Sequence, residues 1–193
     1  MVKSLKVGEC FKFGSYELDG DPSNGNESIQ WIVLKKVGMT VQLCSKDILV
    51  YQSFNESERD ITWKTCSLRT WLNNEFYSKA FSPNEQKKIM STDVKAEDNS
   101  KYGTKGGDTT KDKVYLLSED ELYDLVDSGV VDASCPHTEN NKLFRAQSGF
   151  WLRSPGKTQS LAAVYQGDWT VNPSVSPIEE QGVRPVIWID LSK

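Results

Sequence analysis

The sequence predicts an α+β fold, and three observations carry that prediction. Strand-patterned segments cluster at both ends of the 193-residue chain, and helix-patterned segments with clear start signals fill its middle. The order strands, helices, strands differs from the regular alternation of a parallel α/β sheet. The length suits one domain, taken as residues 1–193, large enough to bury a core without disulfide staples.

The first strand signal is CFKFGSYEL at 10–18, where Phe11, Phe13 and Tyr16 nearly alternate around a Gly-Ser irregularity. DGDPSNGNE at 19–27 is turn chemistry throughout. IQWIVLKKV and MTVQLCS then flank Gly38 as a hairpin, and ILVYQ at 48–52 adds a short strand.

Helical spacing takes over in TCSLRTWLNNEFYSKAF, where Leu68, Trp71, Leu72, Phe76 and Ala80 recur every three or four residues, with Ser67 or Thr65 as the cap. Ser82-Pro83-Asn84-Glu85 starts a second helix: Ser82 caps it, Pro83 suits its first turn, and Glu85 closes a capping box. Ser118-Glu119-Asp120-Glu121 starts a third in the same way, after a predicted strand KVYLL at 113–117. NSKYGTKGGDTTKD at 99–112 reads as a surface loop, and SGVVDASCPHTENN at 128–141 as a second irregular stretch. Strands return in SGFWLRS, LAAVYQ, WTV and VRPVIWIDL.

Composition excludes several function classes. With 23 basic and 27 acidic residues the net charge is −4, and no basic stripe offers a footprint for nucleic acid. Apolar runs such as Trp31 to Leu34 are strand-sized, so no membrane insertion is expected. The start MVKSLKVGECFKF lacks a signal-peptide core; this predicts a cytoplasmic protein, or a cell-surface one if the chain is a trimmed domain. The four cysteines, Cys10, Cys44, Cys66 and Cys135, are too scattered for a disulfide framework, and Cys44 reads as a core residue. Oligomeric state is not encoded in any of these features.

Six ordered segments carry a resemblance: FGSY at 13–16, QWIVL at 30–34, TWKTCSLRTWLNNEFYSKAFS at 62–82, DKVYLLS at 112–118, WLRSPG at 151–156 and GVRPVIWIDL at 182–191. Together they resemble the bacterial "domain of unknown function 6273" family, from about residue 7 to the C-terminus. More distantly, the late W-x-R-S and G-V-R-P elements are similar to the C-type-lectin-like fold of formylglycine-generating enzymes and retroelement-diversified variable proteins. That resemblance implies paired N- and C-terminal strands, two helices flanking a twisted antiparallel sheet, and a binding face in an irregular segment near the C-terminus.

Candidate residues fall into three groups. Arg153 and Arg184, each within an aromatic and apolar strand, are expected to be buried struts that satisfy loop carbonyls, with Trp151 and Trp188 as core residues beside them. The tract 165–172 mixes two aromatics with polar side chains, so Tyr165, Gln166, Asp168, Trp169 and Asn172 form the predicted ligand-binding set. The lectin-like resemblance places its variable binding region there as well. The plainer alternative is a hairpin whose aromatics fold back onto the core.

Metal and catalytic sets are incomplete. Asp19, Asp21 and Glu27 invite calcium, but Asn24 stands where an EF-hand needs glycine and no helices flank the loop. Glu97, Asp98, Asn99 and Asp108 are no better arranged, so no cofactor is expected and calcium remains a minor alternative. The sole histidine, His137, lies near Cys135 without a nucleophile elbow, and no late cysteine pair of the formylglycine-generating type is present. The expectation is a non-catalytic module that recognises a protein or glycan through residues 165–172. The alternatives are an enzyme, of hydrolase or formylglycine-generating type, and a scaffold domain with no small-molecule site.

Overall fold

A computed structural model describes residues 5–131 and 149–193. The chain begins with β1 (Cys10–Tyr16), β2 (Glu27–Val37), β3 (Thr40–Ser45) and β4 (Val50–Ser53). A helical run follows: a 3-10 turn at Trp63–Thr65, α1 (Ser67–Trp71), a π-helical turn at Leu72–Phe76, and α2 (Tyr77–Ala80). Next come α3 (Pro83–Lys88), β5 (Thr92–Val94), β6 (Thr110–Asp112) and α4 (Glu119–Asp127). The last strands are β7 (Phe150–Pro155), β8 (Ala162–Gly167), β9 (Thr170–Val175), β10 (Glu180–Val183) and β11 (Val186–Asp190).

These strands form two main sheets and a ribbon. The first sheet has the order β1-β2-β3-β11, the second β4-β10-β7-β8-β9, and β5 pairs with β6 alone. All named pairings are antiparallel except β7 with β10. Mixed α and β content segregated in this way agrees with the α+β prediction. The first strand does not pair with the last, however: β1 and β11 occupy opposite edges of their sheet. The lectin-like resemblance implied the contrary.

One continuous core joins the sheets and helices, with Trp31, Trp63, Trp151, Phe76, Phe81 and Phe150 fully buried. Each buried indole has an acceptor: Trp31 Nε1 donates to Phe13 O at 2.6 Å, Trp63 to Asp112 Oδ2 at 2.9 Å, and Trp151 to Gln52 O at 2.7 Å. This spares the cost of a buried unpaired donor. Asp112 is closed on every side, because Thr110 Oγ1 (2.6 Å) and Arg69 Nε (2.8 Å) also donate to it.

The capping boxes form as their residues dictate. Glu85 accepts from Ser82 N at 2.8 Å, and its other oxygen accepts from Gly14 N at 2.9 Å, so one cap also anchors the bulge in β1. Gly14 has φ +70°, and a Cβ there would lie 2.6 Å from Ala80 O, so the bulge admits no side chain. Ser118 and Glu121 form the same box at α4.

Four sequence expectations need correction. The cap of α1 is Cys66, whose Sγ accepts from Arg69 N at 3.5 Å, because Thr65 is spent in the preceding turn. KVYLL is buried from Val114 to Leu117 but is no ladder strand: it meets the two sheets through a Tyr115–Val186 bridge and through Arg153 N, which donates to Leu117 O at 2.9 Å. The 99–112 segment is not all loop, since β6 lies within it. VRPVIWIDL is two strands in two sheets, broken at Arg184-Pro185, where proline lacks the N–H a ladder needs. Cys10, Cys44 and Cys66 are free thiols, and burial pushes the Cys66 thiol up to about 12, keeping it protonated and unreactive.

Candidate functional site

The two arginines are both buried, at 5% exposure for Arg153 and 3% for Arg184. Arg184 donates through Nε and Nη2 to Ser45 O (3.1 and 2.8 Å) and through Nη2 to Lys46 O at 3.2 Å. Its guanidinium lies 4.9 Å from the Phe150 ring centroid. It therefore ties the β10–β11 link to the β3–β4 link. Arg153, on β7, donates to Lys95 O (2.9 Å), Leu116 O (2.8 Å) and the Glu121 carboxylate, where Nη2 meets Oε1 at 2.8 Å and Nη1 meets Oε2. Trp151 is fully buried on β7, whereas Trp188 is half-buried on β11.

The predicted binding tract forms the β8–β9 hairpin. Gly167 pairs with Thr170, leaving Asp168 and Trp169 as a two-residue loop with φ of 48° and 65°. Positive φ at both central positions is a type I′ turn, which matches strand twist and ordinarily takes Asn-Gly. Trp169 is 48% exposed, and its ring stacks on Tyr123 of α4 at 6.2 Å between centroids and 15° between planes. Its N–H donates to the Tyr165 hydroxyl at 3.2 Å.

The five predicted residues do not form one face. Tyr165 is 1% exposed, its ring packed 5.4 Å from that of Phe150, so it supports the turn from below. Gln166 and Asp168 are exposed, and Asn172 is half-buried with its Oδ1 accepting from Ser174 N at 3.0 Å. Only Trp169 of the five lines the adjoining cleft of about 300 Å³. The other walls come from Tyr123 and Glu119 of α4 and from Lys101 and Tyr102, which sequence reasoning did not select, and from Asn99, which it weighed only as a cation ligand. A signal existed for Tyr123, an aromatic beside the buried Leu122 and Val126 of α4 but off their face.

This cleft combines aromatic and polar groups. Tyr102 is 44% exposed, and Lys101 Nζ lies 5.3 Å from its ring centroid. Burial, and then repulsion from Asp120, raise the Glu119 carboxyl above its ordinary value, against the lowering effect of its hydrogen bond with Tyr123. The Tyr123 hydroxyl sits between that carboxylate and Trp169 O, 3.4 Å away. Asn99 is structural: its Oδ1 accepts from Lys101 N and Tyr102 N (both 3.1 Å), and its amide donates to Pro155 O at 3.0 Å.

The remaining candidates behave differently. Glu17, Asp19 and Glu27 bring ligand oxygens within 4.8 Å of one another, so these three residues can hold a cation. Asp21 turns away to accept from Ser23, and Glu17 and Glu27 each already accept loop N–H groups. Glu97, Asp98 and Asp108 each pair with a separate lysine, at 2.8, 2.6 and 2.8 Å, and do not converge. Cys135 and His137 lie outside the described residues.

Fold and cleft together define a two-sheet α+β domain with a shallow aromatic and polar site, and no described helix is long and apolar enough to cross a membrane. The chain belongs to the family described as "Domain of unknown function (DUF6273)", whose model matches residues 39–191. The match takes in β3 to β11 and begins after β1 and β2, a narrower span than the resemblance suggested. No curated protein and no solved structure matches the chain.

Proposed function

We propose that this protein is a non-catalytic recognition module that takes a sugar residue of a glycan on Trp169. One observation carries the reading: a tryptophan is held outward in a left-handed backbone conformation beside a polar cleft. Such a conformation costs roughly 1–2 kcal/mol for a residue with a Cβ, and costs of this kind cluster at functional sites. A sugar ring needs a flat apolar face and orienting hydrogen-bond groups, which Trp169 with Glu119, Lys101 and Tyr102 provide. The cleft is at the small end of ligand pockets and suits one or two sugar units better than a protein surface.

Binding is favoured over hydrolysis by the carboxylate inventory. Glycoside cleavage needs two carboxyl groups across the bond, and Glu119 is the single carboxylate among the described residues lining this cleft. The kinship to C-type-lectin-like domains belongs to the same proposal. It rests on the late motifs and on a binding face near the C-terminus, and it must accommodate β1 and β11 at opposite sheet edges.

A glycan array probed with wild type and Trp169→Ala, followed by titration calorimetry on the best oligosaccharide, tests the reading. The expected result is a discrete set of bound glycans and at least a tenfold loss in the variant, the scale of a lost aromatic anchor. Equal binding by both proteins would remove Trp169 from the site, and a silent array with wild type would sink the glycan reading.

A further inference from the structure

A larger cleft, of about 430 Å³, lies along another face of α4, between that helix, β11 and the 92–97 segment. Its polar floor is built from buried groups. Tyr115 is 3% exposed, and its hydroxyl oxygen accepts from Gln42 Nε2 at 2.9 Å. No described residue accepts the hydroxyl proton. Burial raises the Tyr115 phenol far above its ordinary value, so the proton stays in place as a donor.

Arg153 lines the same floor, 5.9 Å from the Tyr115 ring centroid. Four of its five N–H groups are committed to Lys95 O, Leu116 O and the Glu121 carboxylate, leaving one on Nη2. One O–H on Tyr115 and one N–H on Arg153 are therefore available on this floor to an oxygen from outside.

Charge sets the class of that oxygen. Lys35, Lys95 and Arg153 face Asp93, Glu97, Glu121 and Asp124, three positive charges against four negative, so the cleft gives an anion no net attraction. A neutral carbonyl suits the donors equally well, and Leu125, Leu117 and Trp188 supply apolar wall beside them.

We infer that this cleft binds a small uncharged molecule that presents a carboxamide oxygen to Tyr115 and Arg153 and an apolar group to Trp188 and Leu125. This site is independent of the glycan reading, since it shares no residue with the Trp169 cleft.

The test is an NMR titration of the whole chain with N-acetylleucinamide, set beside the carboxylate N-acetylleucine. The amide should shift the Trp188 indole and Gln42 side-chain signals, and the carboxylate should bind several-fold more weakly. Tyr115→Phe should weaken the amide about tenfold, the worth of one buried hydrogen bond. Leu125→Trp, which narrows the cleft without touching its floor, should do the same in a protein whose melting temperature is close to wild type. Trp169→Ala should leave amide binding unchanged. No shift at Trp188 and Gln42, tighter binding of the carboxylate, or full affinity in Leu125→Trp would each overturn the inference.

Discussion

Two hairpins of this protein solve the same problem with different residues. Between β2 and β3, Val37 pairs with Thr40 and Gly38 takes the positive φ, at +58°. Between β8 and β9, Gly167 pairs with Thr170, and Asp168 and Trp169 take positive φ themselves. Glycine pays almost nothing for that conformation, whereas a residue with a Cβ is strained in it. In the second hairpin the strain is offset locally, by the Tyr165 hydroxyl below and the Tyr123 ring beside Trp169. The first turn is only a connection. The second holds a side chain where it can be used.

Exchanging the two solutions sharpens the contrast most. Trp169→Gly should abolish ligand binding while changing stability by less than about 1 kcal/mol, because relief of strain balances the lost stack. Gly38→Ala should instead destabilise by about 1–2 kcal/mol, since it imports strain with no compensating contact. Urea denaturation of both variants measures the difference, and a loss in Trp169→Gly as large as in Gly38→Ala would break the comparison.

Tyr165→Phe ranks next. Removing the hydroxyl under Trp169 N should cost about 1 kcal/mol and loosen the turn, lowering ligand affinity without touching the exposed ring. Unchanged affinity would mean that the turn needs no support from below.

The smallest effects are those of pH, and two capping-region glutamates should show opposite signs. Glu119 has its carboxyl raised in the folded state, chiefly by burial, so the native protein gains stability as pH falls through that raised value. Glu119→Gln should therefore be slightly more stable than wild type at neutral pH. At Glu85 burial works upward too, but hydrogen bonds from Ser82 and Gly14 outweigh it and hold the carboxyl below its ordinary value. Its contribution is present above the unfolded value and is lost as pH falls through the folded one, so Glu85→Gln should flatten the acid limb. Thermal melts from pH 3 to 7 resolve both signs.

Local chemistry was the legible part of the sequence. Ser82 with Glu85, and Ser118 with Glu121, announced two helices because a cap is made by residues three apart. The β5–β6 ribbon was invisible, since Thr92–Val94 and Thr110–Asp112 carry almost no apolar alternation and meet across an intervening segment. The break at Pro185 is legible in the sequence, because a proline cannot sit inside a central ladder. At the site, Trp169 was read from its neighbours, but Tyr123, Tyr102 and Glu119 arrive from distant segments that no local pattern connects. Tyr165 went astray for a simpler reason. Strand alternation turns it inward while Gln166 turns out.

The crossing that Arg184 secures bears on how the chain is made. β10 and β11, which lie within 180–190, are the partners of β4, β7 and β3 in the two sheets. While a ribosome is still adding these residues, the nascent polypeptide carries three strand edges with no neighbour to cover them. Open edges recruit foreign strands and chaperones, so translation stopped short of residue 180 should yield a product that is degraded or aggregates. Arg184, whose guanidinium reaches the carbonyls of Ser45 and Lys46, joins the sheets from within the same late-made stretch.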